Sequence, residues 1–327
     1  MKYVHKPDEC PPDGVAKDRS RSRAAAQLFH LMGATGGLGQ LIAKALRARN
    51  VPVKALVRLN TSPSRISKLH DIGVKISPVD LSDVPTLTNE LEGAICVVSA
   101  LQGLKDVIHT AQGNLLDASV AANVPRFIPS DFSLDFTKTA PGSNRNLDLR
   151  REFHPRLDAS GIAWTSIFNG GFMDLLGGES PTINDKTRKV AYIGSDSQLV
   201  DFTTMVDTAA FTAAVATDPN PTPRYFRIAS DVVSPRDIAN VKSEVYGAKY
   251  QPSYMGPVWV IERMIPVMRL FGGEDKVMNA WQGMQYMTNM YSGVAKAKEL
   301  DNDRYPEIKW TKLVDFIRAD KEKKQTA

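Results

Sequence analysis

The stretch "FHLMGATGGLGQLIAKAL", starting at Phe29, constrains this chain more than any other. An apolar run enters a cluster of glycines, and a helical pattern of apolar residues leaves it. Gly33, Gly36 and Gly39 fall three apart, with Gly37 beside them. In a strand-turn-helix, the first glycine permits the tight turn and the second lets backbone approach a pyrophosphate. The third lets helix and strand pack closely. Free N–H groups and the dipole at the helix start then stabilise the anion. The spacing differs from G-x-G-x-x-G, and no Gly-Lys-Ser/Thr follows, so this is not a Walker loop. A chance glycine-rich turn is the plain alternative. The strand before and helix after favour dinucleotide binding.

Residues 27–33 read as a buried strand, and Leu41, Ile42, Ala45 and Leu46 recur at helical spacing up to a stop at Asn50. Strands are expected at 51–58, over "VKISPVD", at 94–101, over "RFIPSDF" and at 162–170. Helices are expected between them at 62–73, 83–93 and 104–124, and over "LDLRREFHPRLDASG", where Pro155 should kink or restart the helix. Short strands alternating with helices demand parallel strands and right-handed crossovers. The expected fold is α/β, a Rossmann-type doubly wound parallel sheet with a smaller, mostly helical C-terminal lobe. Residues 1–26 read as a disordered leader and 27–170 as the nucleotide-binding domain, with strands near 190–236 returning to it. Residues 171–318 read as the substrate lobe and 319–327 as a solvated tail.

The second strand ends in "ALVRLNTSPSR". A carboxylate there would hold ribose hydroxyls and favour NAD. Arg58, with hydroxyls and Arg65 after it, suits the extra phosphate of NADP(H) instead. A solvated surface arginine is the alternative. Asp80, after the third strand, could receive the adenine amine or be an ordinary loop aspartate. The net charge of +5 suits an anionic small molecule and falls short of a nucleic-acid signature. The cysteines, Cys10 and Cys96, fit no metal spacing and point to a reduced, cytoplasmic setting, Cys96 as a buried small hydrophobe. The histidines form no metal constellation, and no apolar run is long enough to span a bilayer.

"GATGGLG", "LVR", "RFIPSDF" and "GIAWTSIFNGGF" together resemble the NmrA-like, isoflavone reductase-like group of atypical short-chain dehydrogenases. "DFTTMVDTAAF" and "DRYPEIKWTKLVDF" extend the likeness over roughly residues 27–318. That group contains NADPH-dependent reductases and a redox-sensing repressor. The resemblance implies that Gly33, Thr35, Gly36, Leu38 and Gly39 cradle the pyrophosphate and that Arg58 meets the 2′-phosphate. Ser99, Ala100 and Gln102 would line the cofactor, and Pro129, Ser130, Asp131 and Phe132 would pass near the nicotinamide.

The departures concern catalysis. Reductases of the group carry a lysine on the helix after the polar loop, where this chain places Arg150 at or next to that position. Arginine stays protonated, so it is no general base, although it could hold a cofactor hydroxyl or a substrate oxyanion. No Tyr-x-x-x-Lys pair appears. His154, four residues on, is the nearest titrating group, with a structural role as the alternative. Asn169 ends the sixth strand, where ligand contact and turn formation are both open. Phe172, Met173, Trp281, Met284, Tyr286, Met287, Met290 and Tyr291 could wall an apolar cleft, though most residues at such spacing are core. The arginines of "NRNLDLRREFHPR" could attract an acidic substrate or form a solvated face.

The expectation is a reductase that moves hydride from NADP(H) to a small apolar or aromatic carbonyl or enone. Arg150, Ser130 or Asn169 would polarise the oxygen, and water or His154 would supply the proton. A non-catalytic NADP(H) sensor, with a protein partner, is the second reading. A redox-neutral isomerase or lyase is the third. Neither nucleic acid nor membrane is expected as a partner, and the state is monomer or homodimer.

Overall fold

The computed structural model describes residues 28–177, 180 and 182–326. The leader expected over 1–26 lies outside the described residues. Six parallel strands form the main sheet: β1 (Leu28–Met32), β2 (Val53–Arg58), β3 (Lys75–Val79), β4 (Ala94–Ser99), β5 (Arg126–Ile128) and β6 (Ala163–Trp164). Their order is β3-β2-β1-β4-β5-β6. Strand order therefore reverses between β1 and β4, which opens a crevice at the carboxyl edge.

Side chains alternate between two cores because a strand has period two. Phe29, Leu31, Val53, Ala55, Cys96 and Val98 face one, and Met32, Leu56, Val97 and Phe127 face the other. Helices α1 (Gly37–Ala48) and α2 (Pro63–His70) cover the first face. Helices α3 (Val84–Glu90), α4 (Gln112–Ala121) and α5 (Arg145–Ala159) cover the second. Burial pushes the Cys96 thiol up to about 12, so it acts as a small hydrophobe.

Three expectations change in this half. The helix expected at 104–124 starts as a π-helix, Asp106–Ala111, that runs into α4. α5 continues through Pro155 without a break; Phe153 and Leu157 are buried on either side of it. The strand expected at 162–170 changes partner part-way. Thr165 N–H donates to Phe127 O, but Ser166 N–H donates to Arg224 O. β6 thus stays with β5, while β7 (Ser166–Phe168) pairs with a later strand.

The remainder supplies β8 (Gly171–Phe172), β9 (Ile183–Asn184), β10 (Lys189–Tyr192), β11 (Val200–Thr203), β12 (Tyr225–Arg227), β13 (Asp231–Val233) and β14 (Gln251–Tyr254). β12 lies parallel to β7, β11 joins β8 and β13, and β10 lies between β9 and β14. The helices are α6 (Met205–Thr217), α7 (Pro235–Tyr246), α8 (Val258–Gly272), α9 (Ala280–Tyr291) and α10 (Leu313–Thr326). α6 is Ala-rich and buried nearly all round against α1 and the first core. A third core, with Ile183, Val190, Phe202, Ile238, Tyr250 and Ile317, holds the lobe together. The solvated tail expected after residue 318 is exposed but helical, because α10 continues through it to Thr326.

One buried histidine makes stability depend on pH. His30, on β1, binds Glu90 O through Nε2 and leaves Nδ1 without a partner. Burial, with Lys54 nearby, lowers its pKa from 6.5 to about 4. The folded value lies below the unfolded one, so above about pH 6.5 the group contributes nothing to the pH dependence. As pH falls from there toward 4, the unfolded chain takes up a proton that the folded chain refuses, and stability drops. Between pH 7 and 5 this amounts to about 2 kcal/mol. Urea unfolding of the wild type and His30→Gln at both pH values should show a shallower loss in the variant. Identical slopes would remove His30 from the account.

Candidate functional site

At the crevice, Gly33 leaves β1 with φ +82°. A Cβ there would stand 2.4 Å from Ala100 O, and one on Gly39 would stand 2.1 Å from Gly33 O. Neither position accepts a side chain without moving backbone. Gly36 and Gly37 differ: a Cβ on them would meet Gly33 O at 3.4 Å and Met205 Sδ at 3.8 Å. Packing inside the chain does not demand glycine there, and both are exposed. Gly36 is the N-cap of α1, no side chain caps that helix, and its first turn holds no acidic residue. Thr35 and Leu38 flank the opening, half-buried. An uncapped helix start facing bare backbone is what a pyrophosphate fits.

Arg58 ends β2 exposed, and among the described residues its guanidinium has no hydrogen bond or ion pair. The N-cap of α2, Ser62, leaves its helix start uncapped as well. Asp80 is exposed and turned onto its own loop, where Oδ1 accepts from Ser82 N (2.9 Å) and Ser82 Oγ (2.7 Å). Those two bonds hold its pKa below the ordinary carboxylate value. Beyond β4, Ala100 N–H donates to Met32 O (2.8 Å), Gln102 is exposed, and the Ser99 hydroxyl is buried without a partner.

Ser130 joins Gln112, Leu101 and Arg150. Its N–H donates to Gln112 Oε1 (2.9 Å), its carbonyl accepts from Arg150 Nε (2.9 Å), and its hydroxyl donates to Leu101 O (2.5 Å). Arg150 Nη1 donates to Asn146 O (2.8 Å). Arg150 is buried, and among the described residues it bonds only carbonyls, with no carboxylate within ion-pair distance. A buried guanidinium without a counter-charge is costly unless an anion or a developing negative charge joins it. Asn169, past β7, is wholly buried, and among the described residues both its side-chain Nδ2 and Oδ1 lack partners. Gln112 Nε2 is likewise orphaned. Buried polar atoms are normally paired, so each of these groups is open to a ligand.

His154 lies one turn along α5 from Arg150. Its Nε2 is 2.7 Å from Asp131 Oδ2, which also accepts from Ser166 Oγ (2.5 Å). The ring packs on Phe136, Trp164 and Tyr225 at centroid distances of 5.0, 4.8 and 5.9 Å.

The NmrA-like family profile matches residues 26–317. The chain belongs to the NmrA-like family. It is 25% identical over 308 residues to the isoflavone reductase homolog IRL of Zea mays, covering 88% of this chain and 96% of that one. Among solved structures it resembles a reductase bound to NADP+ and (+)pinoresinol, with TM-score 0.76, 20% identity and coverage of 90% and 98%. It also resembles the leucoanthocyanidin reductase–NADPH complex from Vitis vinifera, with TM-score 0.75, 17% identity and coverage of 90% and 99%. These likenesses establish the fold.

Within this NmrA-like chain, several expectations separate. Of the arginines near α5, only Arg150 is held by neutral groups inside the crevice. Arg145 donates to Glu274 O, Lys276 O and Val277 O and lies over Trp281. Arg151 pairs with Asp148, and Arg156 pairs with Asp117. Met173, Trp281 and Tyr291 are core residues, not cleft walls; Trp281 Nε1 is used on Gly273 O (2.9 Å). Met290, with Leu134, Gly170, Asp201 and Lys296, lines a recess beside Asn169 of only about 10 Å³. That is about one water. Gln112 was not among the expected residues; its one signal is a long polar side chain on the buried face of an amphipathic helix. Among the described residues no cluster is arranged to hold a metal, and no helix is long and apolar enough to cross a membrane.

The glycines separate packing from binding. Gly39→Ala should lower stability by more than about 2 kcal/mol, because backbone must move. Gly36→Ala should cost within about 1 kcal/mol. Thermal melts of both variants check this; equal losses would contradict the assignment of Gly36 to an open cradle.

Proposed function

We propose that this chain is an NADP(H)-dependent reductase of a small, largely apolar or aromatic carbonyl or enone. The observation that carries the reading is Arg150, a buried cation held, among the described residues, only by the carbonyls of Ser130 and Asn146. The open start of α1 and the unpaired Arg58 support the choice of cofactor. Bound there, NADPH would supply the hydride.

The chain's own groups divide the remaining work. Gly36 and Gly37 keep the cradle bare, with Thr35 and Leu38 at its sides. Arg58 would contact the 2′-phosphate, Asp80 the adenine edge, and Ser99, Ala100 and Gln102 the cofactor's inner side. Arg150 and Asn169 would hold the substrate oxygen and stabilise negative charge as it forms on it. The Ser130 hydroxyl already donates to Leu101 O, so Ser130 acts by fixing Arg150 and Gln112 rather than by donating to substrate. His154 is tied to Asp131 inside an aromatic box, which favours a positioning role for it. Water would then supply the proton.

A second reading, an NADP(H) sensor without turnover, draws support from the small volume, about 10 Å³, of the recess next to Gly170. Titration with NADPH, NADP+ and NADH, followed by NADPH consumption against carbonyls and quinones, separates the two. The reductase reading expects consumption with at least one acceptor. Arg58→Ala should weaken NADPH binding about 10–100-fold and leave NADH binding unchanged, as loss of a charge-assisted contact implies. Arg150→Met should lower kcat roughly 100-fold while NADPH still binds. Similar affinity for NADPH and NADP+ with no consumption on any acceptor would favour the sensor.

A further inference from the structure

The first turn of α5, just ahead of Arg150, is fastened to the C-terminal lobe by a set of hydrogen bonds. Gln282 Nε2 donates to Asn144 Oδ1 (2.8 Å), and Arg145 N–H donates to Gln285 Oε1 (3.1 Å). Arg145 Nη1 donates to Glu274 O (3.0 Å) and its Nη2 to Lys276 O (2.8 Å). Asn289 Nδ2 donates to Ser143 Oγ (3.3 Å). Gln282, Gln285 and Asn289 follow at intervals of three and four on α9, hence on one face, and all are buried.

Asn146 is where this junction meets Arg150. It is buried, and each of its polar groups is in use. Its N–H donates to Asn144 Oδ1 (3.2 Å), its Nδ2 donates to Val277 O (2.8 Å), and its Oδ1 accepts from Arg145 Nε (3.2 Å). Its carbonyl accepts from Arg150 Nη1 (2.8 Å). In a helix that carbonyl also accepts the N–H four residues on, so backbone and side chain of residue 150 both rest on it. Of the two carbonyls that hold Arg150, the one on Asn146 is therefore tied to the lobe.

The make-up of the junction separates positioning from plain attachment. Apolar contact is non-directional and tolerates sliding, whereas a hydrogen bond fixes distance and angle. The junction is also incompletely satisfied. Among the described residues, Asn144 Nδ2, Gln282 Oε1 and Asn289 Oδ1 are buried without partners. Unpaired buried amide atoms cost stability, so apolar side chains would fasten the lobe better. What the amides provide is one defined orientation of the helix start.

We propose that Asn146 is a positioning residue, through which the lobe segment 273–277 sets the placement of the Arg150 guanidinium. The inference rests on the reading of Arg150 as the group that stabilises charge on the substrate oxygen.

Asn146→Ala removes the side-chain bonds and keeps the carbonyl. It should lower kcat roughly 10–100-fold, as a small misplacement of a charge-stabilising group does. NADPH affinity should be unchanged, because the cradle and Arg58 lie on other elements. In an Arg150→Met background the same substitution should have no further effect on kcat, since residues that act as a unit are not additive. Additive losses, or a loss confined to the melting temperature, overturn the proposal. An unchanged kcat in Asn146→Ala beside a lowered one in Arg150→Met overturns it and leaves the reductase reading standing. Full turnover in Arg150→Met overturns both. A readout independent of turnover is the Nε–H resonance of Arg150 in protein labelled with heavy-nitrogen arginine, identified by its absence from Arg150→Met. Asn146→Ala should shift this resonance, and an unshifted one overturns the proposal. If Asn146→Ala does not fold, Asn146→Asp is read in the same way; it retains an oxygen for Arg145 Nε and loses only the donor to Val277 O.

Discussion

The approach of Gly39 to the carbonyl of Gly33 sets how deeply α1 sits against the sheet. With a Cβ position only 2.1 Å from that carbonyl, the helix begins directly on the end of β1. Gly33 makes the matching approach to Ala100, and Ala100 donates back to Met32. Three backbone segments thus meet without side chains between them: the end of β1, the exit of β4 and the start of α1. This contact places the uncapped helix start at the reversal of strand order. It also lets α6 pack flat on α1, which seals the first core. The later segments that reach the site are arranged around that fixed corner.

Ser130 plays the corresponding part on the other side of the crevice. One residue, bonded at both its N–H and its carbonyl, holds Gln112 from α4 and Arg150 from α5. The charge pattern around it is uneven. Arg151, Arg156 and Arg227 each meet a carboxylate, and Arg150 meets only carbonyl dipoles. Dipoles offset part of the desolvation of a buried guanidinium and leave its net charge in place. Asp131, next in sequence to Ser130, has its carboxylate turned to His154 and Ser166. The loop therefore separates an unneutralised cation from an anion already in use.

Much of this was legible in the sequence, for identifiable reasons. Strands covered on both faces read as continuous apolar runs, so β1, β2 and β4 stood out. The glycine turn and Arg58 were legible because their chemistry is local. What escaped depends on partners distant in sequence. The switch at Thr165 arises from a bond to Arg224, some sixty residues later. The short edge strand β14, "QPSY", carries no apolar alternation and exists because β10 offers it a ladder. Trp281 was left open between cleft wall and core, and its contacts with Gly273 and Arg145 bury it in the core. In sequence the arginines of this helix were not told apart, and only the fold distinguishes those that meet carboxylates or distant carbonyls from Arg150, bonded to Ser130 and Asn146.

That distinction bears on the chemistry that an arginine permits. A lysine at this place can lose its proton when buried and act as a base. A guanidinium cannot, whatever its burial. Its contribution is confined to charge that appears during reaction, which it stabilises most where water is absent and no carboxylate competes. Arg150 meets both conditions, being buried and bonded only to carbonyls. The nearest titratable pair, His154 with Asp131, is enclosed by rings and faces inward. A chain arranged this way would accelerate hydride transfer by holding an oxyanion and leave the proton to solvent. That is a different division of labour from one that puts acid, base and electrostatic duties on a single lysine.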